Sequence, residues 1–209
     1  GIKVAMRVLE DEARLSAEDG AVVRKVGGEV KRLEALMKSF LNFAKPPKPQ
    51  LTDVNVNAVM NATIAFYAGK PHASPESLNG IKILKEFGDL PPTMADPIQL
   101  QQVFVNLVIN ATDAMPQGGT LRIQTAVDRM QDRSGQHPLT AIRVELSDTG
   151  EGIPAEVLAR IFEPFVTTKE NGTGLGLSIS YGIIQAHGGE ITVDSGPGAG
   201  TTVTILLPV

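Results

Sequence analysis

The chain has 209 residues, 42% of them hydrophobic, with no cysteine and a formal net charge of −4, enough for a small unit joined to a domain of ordinary size. The acidic balance supplies no basic field to recruit nucleic acid, and the lack of cysteine excludes disulfides and thiolate metal sites and fits a reducing compartment. No apolar run is long enough to cross a bilayer, and the opening Gly1-Ile-Lys, with neither methionine nor a leader, reads as the start of an excised piece.

Residues 1–15 set Ile2, Ala5, Val8 and Leu9 among charged neighbours, the pattern of an amphipathic helix already under way. Ser16-Ala-Glu-Asp19 resembles the capped, acidic start of a second helix. From there Val23, Val26, Val30, Leu33, Met37 and Phe40 recur at alternating spacings of three and four, a heptad seam that ends near Ala44. Such a seam can pack within its own domain, or it can be buried by dimerisation into a four-helix bundle. Pro46-Pro47-Lys48-Pro49 then breaks the helix as a short stiff linker would. The expected division is therefore a helical dimerisation domain at 1–46 and a second domain at 50–209. Gly27-Gly28, inside the seam helix, cost about 1 kcal/mol each relative to alanine and mark a bend.

In the second domain residues 50–56 read as a strand and Asn57–Ala68 as a helix carrying Val59, Met60, Ile64 and Phe66. Residues 69–79, with Pro71 and Pro75, read as a loop, and Ile81–Phe87 as a strand. Asp96 is placed to cap a helix with Pro97 at its first position. On that helix Ile98, Val103, Leu107 and Ala114 can face a core, while Gln102, Asn106, Asn110 and Asp113 share another side. Thr120–Val127 is a strand, 128–138 a polar hairpin loop, and Ala141–Leu146 an alternating strand that runs on to Asp148. Ser178–His187 reads as a helix stopped by Gly188-Gly189, and Glu190–Asp194 with Thr201–Leu207 as a closing hairpin. Helices on one face of a mixed sheet make this an α+β sandwich.

Between the Asp148 strand and the Ser178 helix lie D-T-G-E-G-I, then F-E-P-F-V-T-T-K, then G-T-G-L-G-L. Glycines leading from a strand into a helix let a backbone approach a ligand, and the helix aims free N–H groups at an anion. Taken alone, Gly172, Gly174 and Gly176 are equally explained as turn residues. Two asparagines one turn apart, Asn106 and Asn110, are equally explained as surface residues. A carboxamide oxygen also suits magnesium held mainly by phosphates and water.

The ordered set N-L-V-I-N-A at 106–111, D-T-G-E-G-I at 148–153, F-E-P-F at 162–165 and G-T-G-L-G-L at 172–177 resembles the ATP-binding domain of the sensor histidine kinases, in the wider superfamily with DNA gyrase B, MutL and the heat-shock chaperone ATPases. The resemblance spans 94–209 closely and 1–45 more loosely. It implies a Bergerat-type ATP-binding sandwich behind a dimeric helical hairpin, and a protein-histidine kinase that takes Mg-ATP and passes the γ-phosphoryl to a histidine, for relay to a response regulator receiver domain. It implies a cytoplasmic catalytic portion, with no membrane span within this piece. Asp148 would accept a hydrogen bond from the adenine amine in a site shaped by Gly150, Gly152 and Ile153, where the alternative is a carboxylate capping its own turn. Asn110 would ligate magnesium. Asp113, Thr168, Thr173, Leu175, Leu177 and Thr201 complete the expected nucleotide contacts, and Asn106 and Lys169 are the candidate catalytic positions. Lys169 would reach a phosphate as a flexible point charge, or else be simply solvated.

Phe162 and Phe165 would pin a mobile ATP lid spanning 153–172. The hydrolase relatives place a water-activating glutamate where this chain has Asn106, which lacks the basicity for it, so hydrolysis is disfavoured. A non-enzymatic docking module is the other rival. The family's acceptor histidine lies on the first helix, whereas His72 and His137 fall in loops and His187 at a helix end, where a cation is favourable. This chain is expected to lack its own acceptor.

Overall fold

The computed structural model divides into two units, Gly1–Lys45 and Pro46–Val209. It describes residues 48–68, 77–78, 80–131, 137–169 and 172–209, with nine positions between 20 and 37. Those nine are helical, and Val26 and Met37 of the heptad seam are 48% and 64% exposed. The first helix, the cap at 16–19, and Leu33 and Phe40 of the seam lie outside the described residues.

The second unit runs β1 (Thr52–Val54), α1 (Val56–Ala68), β2 (Ser77–Leu78), β3 (Ile81–Phe87), β4 (Thr93–Ala95), α2 (Pro97–Asp113), β5 (Gly119–Gln131), β6 (Pro138–Asp148), α3 (Ala155–Leu158), α4 (Gly176–Ala186), β7 (Glu190–Gly196) and β8 (Gly200–Pro208). A six-stranded sheet has the order β2-β3-β5-β6-β8-β7, and β1 pairs with β4 apart from it. Among the described residues only the β3–β5 pair runs parallel, so the sheet is mixed, as the sequence predicts. Alternation decides which face is covered. Ile83, Leu121, Ile123, Val144, Leu146, Val203 and Ile205 are buried under the helices, while Lys82, Arg122, Arg143 and Glu145 occupy the opposite face.

The helix α2 forms where its cap predicts. The Asp96 carboxylate accepts from the N–H groups of Ile98 and Gln99, and Pro97 opens the first turn. Its buried stripe runs through Gln99, Leu100, Val103, Phe104, Leu107, Val108 and Ala111. Ile98, expected to face the core, is instead 77% exposed, because its row continues through the partly exposed Gln102 and Val105 rather than along that stripe.

Other boundaries move for local reasons. Asn55 accepts the Ala58 N–H at 3.0 Å and so starts α1 at Val56, which shortens the strand expected at 50–56. The short strands β2 and β4 went unpredicted, since two or three residues carry no periodicity. The β5–β6 ladder runs out to the pair Gln131↔Pro138, so Asp128–Gln131 and Pro138, at the ends of the expected polar loop, are strand. One turn of helix, α3, sits inside the segment expected to be a lid.

Candidate functional site

A cavity of about 320 Å³ opens between α2, the end of β6 and the start of α4. Fourteen of the predicted positions line it: Asn106, Asn110, Asp113, Asp148, Gly152, Ile153, Thr168, Lys169, Gly172, Thr173, Gly174, Gly176, Leu177 and Thr201. Three do not. Gly150 is set back beneath Asp148 and donates its N–H to that carboxylate, Leu175 is buried with only 1% exposure, and Phe162 packs on the core with its ring 5.0 Å from that of Tyr181.

Asp148 ends β6 opposite Thr201. Its Oδ1 accepts the N–H of Gly150 at 2.9 Å and of Thr201 at 3.2 Å. Among the described residues no donor reaches Oδ2, so one oxygen of a half-buried carboxylate faces the cavity with its lone pairs unspent. Burial pushes this carboxyl above the usual aspartate value, against the opposing pull of the Gly150 and Thr201 amides. One oxygen of Asp148 thus caps its own turn, and the other is left to accept from a ligand.

On the far wall α4 begins at Gly176 with no side-chain cap, which leaves its first N–H groups without intrahelical partners. Gly174 is held at φ +65°, and a Cβ there would lie 2.4 Å from the Phe165 carbonyl carbon, so its glycine is required by chain packing. Gly176 differs. A Cβ there would meet nothing closer than 3.8 Å, so no protein atom demands a glycine, and the space it leaves opens beside Asn106 on the cavity wall.

Asn106 donates through Nδ2 to the Gly176 carbonyl at 3.2 Å and to Ser180 Oγ at 3.3 Å, fastening α2 to the first turn of α4. One turn on, the Asn110 Oδ1 and Asp113 Oδ2 oxygens converge on the Lys169 ammonium at 3.0 and 2.8 Å. These two oxygens already frame a positive charge, which suits a cation completed by phosphate oxygens and water. Phe165, expected to pack like Phe162, is 62% exposed and sits at φ +67°, its N–H donating to the Gly174 carbonyl at the neck of the loop. His187 also departs from expectation. It is 8% exposed, its Nε2 accepts the Asp96 N–H at 3.0 Å and its Nδ1 lies 2.8 Å from the Ile183 carbonyl, a pattern that uses the neutral ring rather than a cation at a helix end.

Apart from Glu151 and Thr167 the rest of the lining is apolar, with Leu146 and Val203 from the sheet, Ile109 and Ala111 from α2, and Val157 and Ile161 from the α3 region. Period-two alternation marks Leu146 and Val203 as inward-facing, but nothing in the sequence separates cavity wall from core. The wall suits a flat, largely apolar ring beside the Asp148 acceptor.

Over residues 95–209 the chain matches the family described as histidine kinase-, DNA gyrase B-, and HSP90-like ATPase. Sporulation kinase E of Bacillus subtilis is 38% identical over 88% of this chain, which spans 23% of that relative's own length. Among solved structures, full-length ShkA in complex with AMPPNP superposes with a TM-score of 0.76 at 26% identity, covering 97% of this chain and 41% of ShkA. The histidine kinase ThkA in complex with the response regulator protein TrrA gives 0.69 at 25% identity, covering 99% and 56%. The order of motifs, the mixed sheet and the cavity between α2 and α4 thus all meet in one lineage, and the chain belongs to the histidine kinase-, DNA gyrase B- and HSP90-like ATPase family.

Proposed function

We propose that the cavity takes Mg-ATP and that the chain is the catalytic portion of a sensor histidine kinase, passing the γ-phosphoryl to a histidine for relay to a response regulator. The observation that carries this reading is the pairing of an unspent Asp148 oxygen on one wall with the uncapped start of α4 on the other. The first suits an exocyclic amine and the second an anion. The nucleotide complex of ShkA and the ThkA–TrrA complex support the ligand and the partner.

In this assignment the adenine amine donates to Asp148 Oδ2, and the phosphates lie along Thr173, Gly174, Gly176 and Leu177 under the N–H groups of α4. Asn110, with Asp113 beside it, holds magnesium, which when bound neutralises phosphate charge. Lys169 exchanges its present partners for a terminal phosphate oxygen. An imidazole nitrogen attacks the γ-phosphorus, the bond to the β–γ bridging oxygen breaks, ADP departs and the ring N–H proton passes to solvent. The chain contributes positioning and charge compensation, which is most of what phosphoryl transfer needs.

Hydrolysis is the weaker reading. Asn106 stands as a hydrogen-bond donor to Gly176 and Ser180, a task that a carboxylate base cannot perform. The exposure of Val26 and Met37 supports burial of the heptad seam in a homodimer. The direct test has two parts. Calorimetry should show ADP binding that Asp148→Asn weakens. Labelled ATP and magnesium, added with a helical peptide bearing an acceptor histidine, should leave acid-labile phosphate on the peptide. Binding without transfer to any histidine substrate would reduce the chain to a docking module.

A further inference from the structure

The Asp96 carboxylate has two clients on opposite sides. Oδ1 accepts from the N–H groups of Ile98 and Gln99 at 2.9 and 3.1 Å and caps α2, whereas Oδ2 accepts the N–H of Gln50 at 2.9 Å, in the segment that leads into β1. The backbone N–H of the same residue donates to His187 Nε2, and the His187 ring in turn meets Ile183 near the end of α4. Asp96 and His187 are 7% and 8% exposed, so water does not readily replace these bonds. One buried residue therefore joins the entering chain, the start of α2 and the end of α4. These are the two helices that carry Asn106, Asn110 and Gly176 to the cavity.

We infer that Asp96 is a positioning residue that couples the chain at Gln50 to the nucleotide cavity. A carboxylate is a rigid plane. If Gln50 moves, Oδ2 follows its donor, Oδ1 turns away from Ile98 and Gln99, and the first turn of α2 loosens. The effect reaches Asn106 and Asn110 along a continuous helix. Burial works against the charge of this carboxyl, and the amides of Gln50, Gln99 and Ile98 nonetheless hold it below the usual aspartate value, so it stays ionised across the neutral range. The inference rests on the adenine-nucleotide reading of the cavity. Because coupling is reciprocal, nucleotide at the cavity must tighten the Gln50 bond as much as that bond favours nucleotide.

The test is amide hydrogen exchange on the 209-residue chain with ADP as the probe, after calorimetry has shown that ADP binds. ADP should slow exchange at Gln50 together with Ile98 and Gln99. Asp96→Asn keeps one oxygen for the cap, where asparagine serves as well as aspartate, but turns an amine toward Gln50. In that variant the ADP response at Gln50 should vanish while the response at Ile98 persists. Gln50→Pro removes the donor without touching Asp96 and should weaken ADP about fivefold. A purely structural Asp96 would lower the melting temperature of the variants without making the wild-type Gln50 amide respond to ADP. ADP binding with an indifferent Gln50 amide overturns the coupling alone, and this wild-type result stands whether or not a variant folds. Absence of ADP binding to the wild type overturns the nucleotide reading and the coupling with it.

Discussion

The Asn106 carboxamide donates to the carbonyl of Gly176 at 3.2 Å, joining the helix that carries the asparagines to the glycine that opens α4. Asn106→Glu replaces this donor with a carboxylate facing a carbonyl and the Ser180 hydroxyl. It should weaken ADP by about fivefold to tenfold, the scale of one lost hydrogen bond plus an unpaired carbonyl, and should not create ATP hydrolysis. Phosphate release that rises with Asn106→Glu would show the position to be a catalytic one awaiting its base.

Asp148→Asn leaves an oxygen for the Gly150 and Thr201 amides but offers the cavity an amine. Hydrogen bonds to charged groups contribute about 1.5–3 kcal/mol, so ADP affinity should fall by at least about tenfold while the melting temperature changes little. Equal affinity for the variant would remove the adenine assignment.

The pH dependence follows from the same carboxyl. Its folded pKa is raised by burial, so the ionised form costs stability, and that cost appears as pH rises from the ordinary aspartate value through the raised one. In the proposed binding mode nucleotide uses the ionised form. ADP affinity should therefore weaken as pH falls through the raised value, earlier than an ordinary aspartate would allow. Below it, binding should release a proton, seen as a calorimetric heat that varies with buffer ionisation enthalpy; Asp148→Asn should abolish that variation.

Lys169 and Asp113 form a pair with side chains 38% and 50% exposed. Exposed pairs contribute about 0–1 kcal/mol, so Lys169→Ala should barely shift the melting temperature. If its ammonium moves to a terminal phosphate, the variant should lose more affinity for ATP than for ADP. Equal losses would leave Lys169 without a phosphate role.

His187 is buried with both ring nitrogens engaged, so it cannot present a free nitrogen to a γ-phosphorus in line with a leaving oxygen. Incubating this chain with labelled ATP and magnesium should leave no acid-labile phosphate at residue 187. Label mapped there would mean that the α4 terminus opens in solution.

The sequence by itself determined the chain's lineage and named fourteen of the residues that line the cavity, because those features are local. Asp96-Pro97 writes a helix start into adjacent residues, strand alternation names the inward face, and N-L-V-I-N-A, D-T-G-E-G-I and G-T-G-L-G-L each state a backbone requirement within a few positions. What escaped it depends on partners distant along the chain. Phe162 and Phe165 sit in matching sequence contexts, yet Phe162 packs on the core with its ring against Tyr181, while Phe165 is 62% exposed at φ +67° with its N–H on the Gly174 carbonyl. His187 looked like a solvated helix end until the fold brought the Asp96 N–H to its ring across 91 residues. Tertiary structure alone decided these, since burial and hydrogen-bond satisfaction belong to the surroundings of a side chain, and those surroundings exist only once distant segments have met.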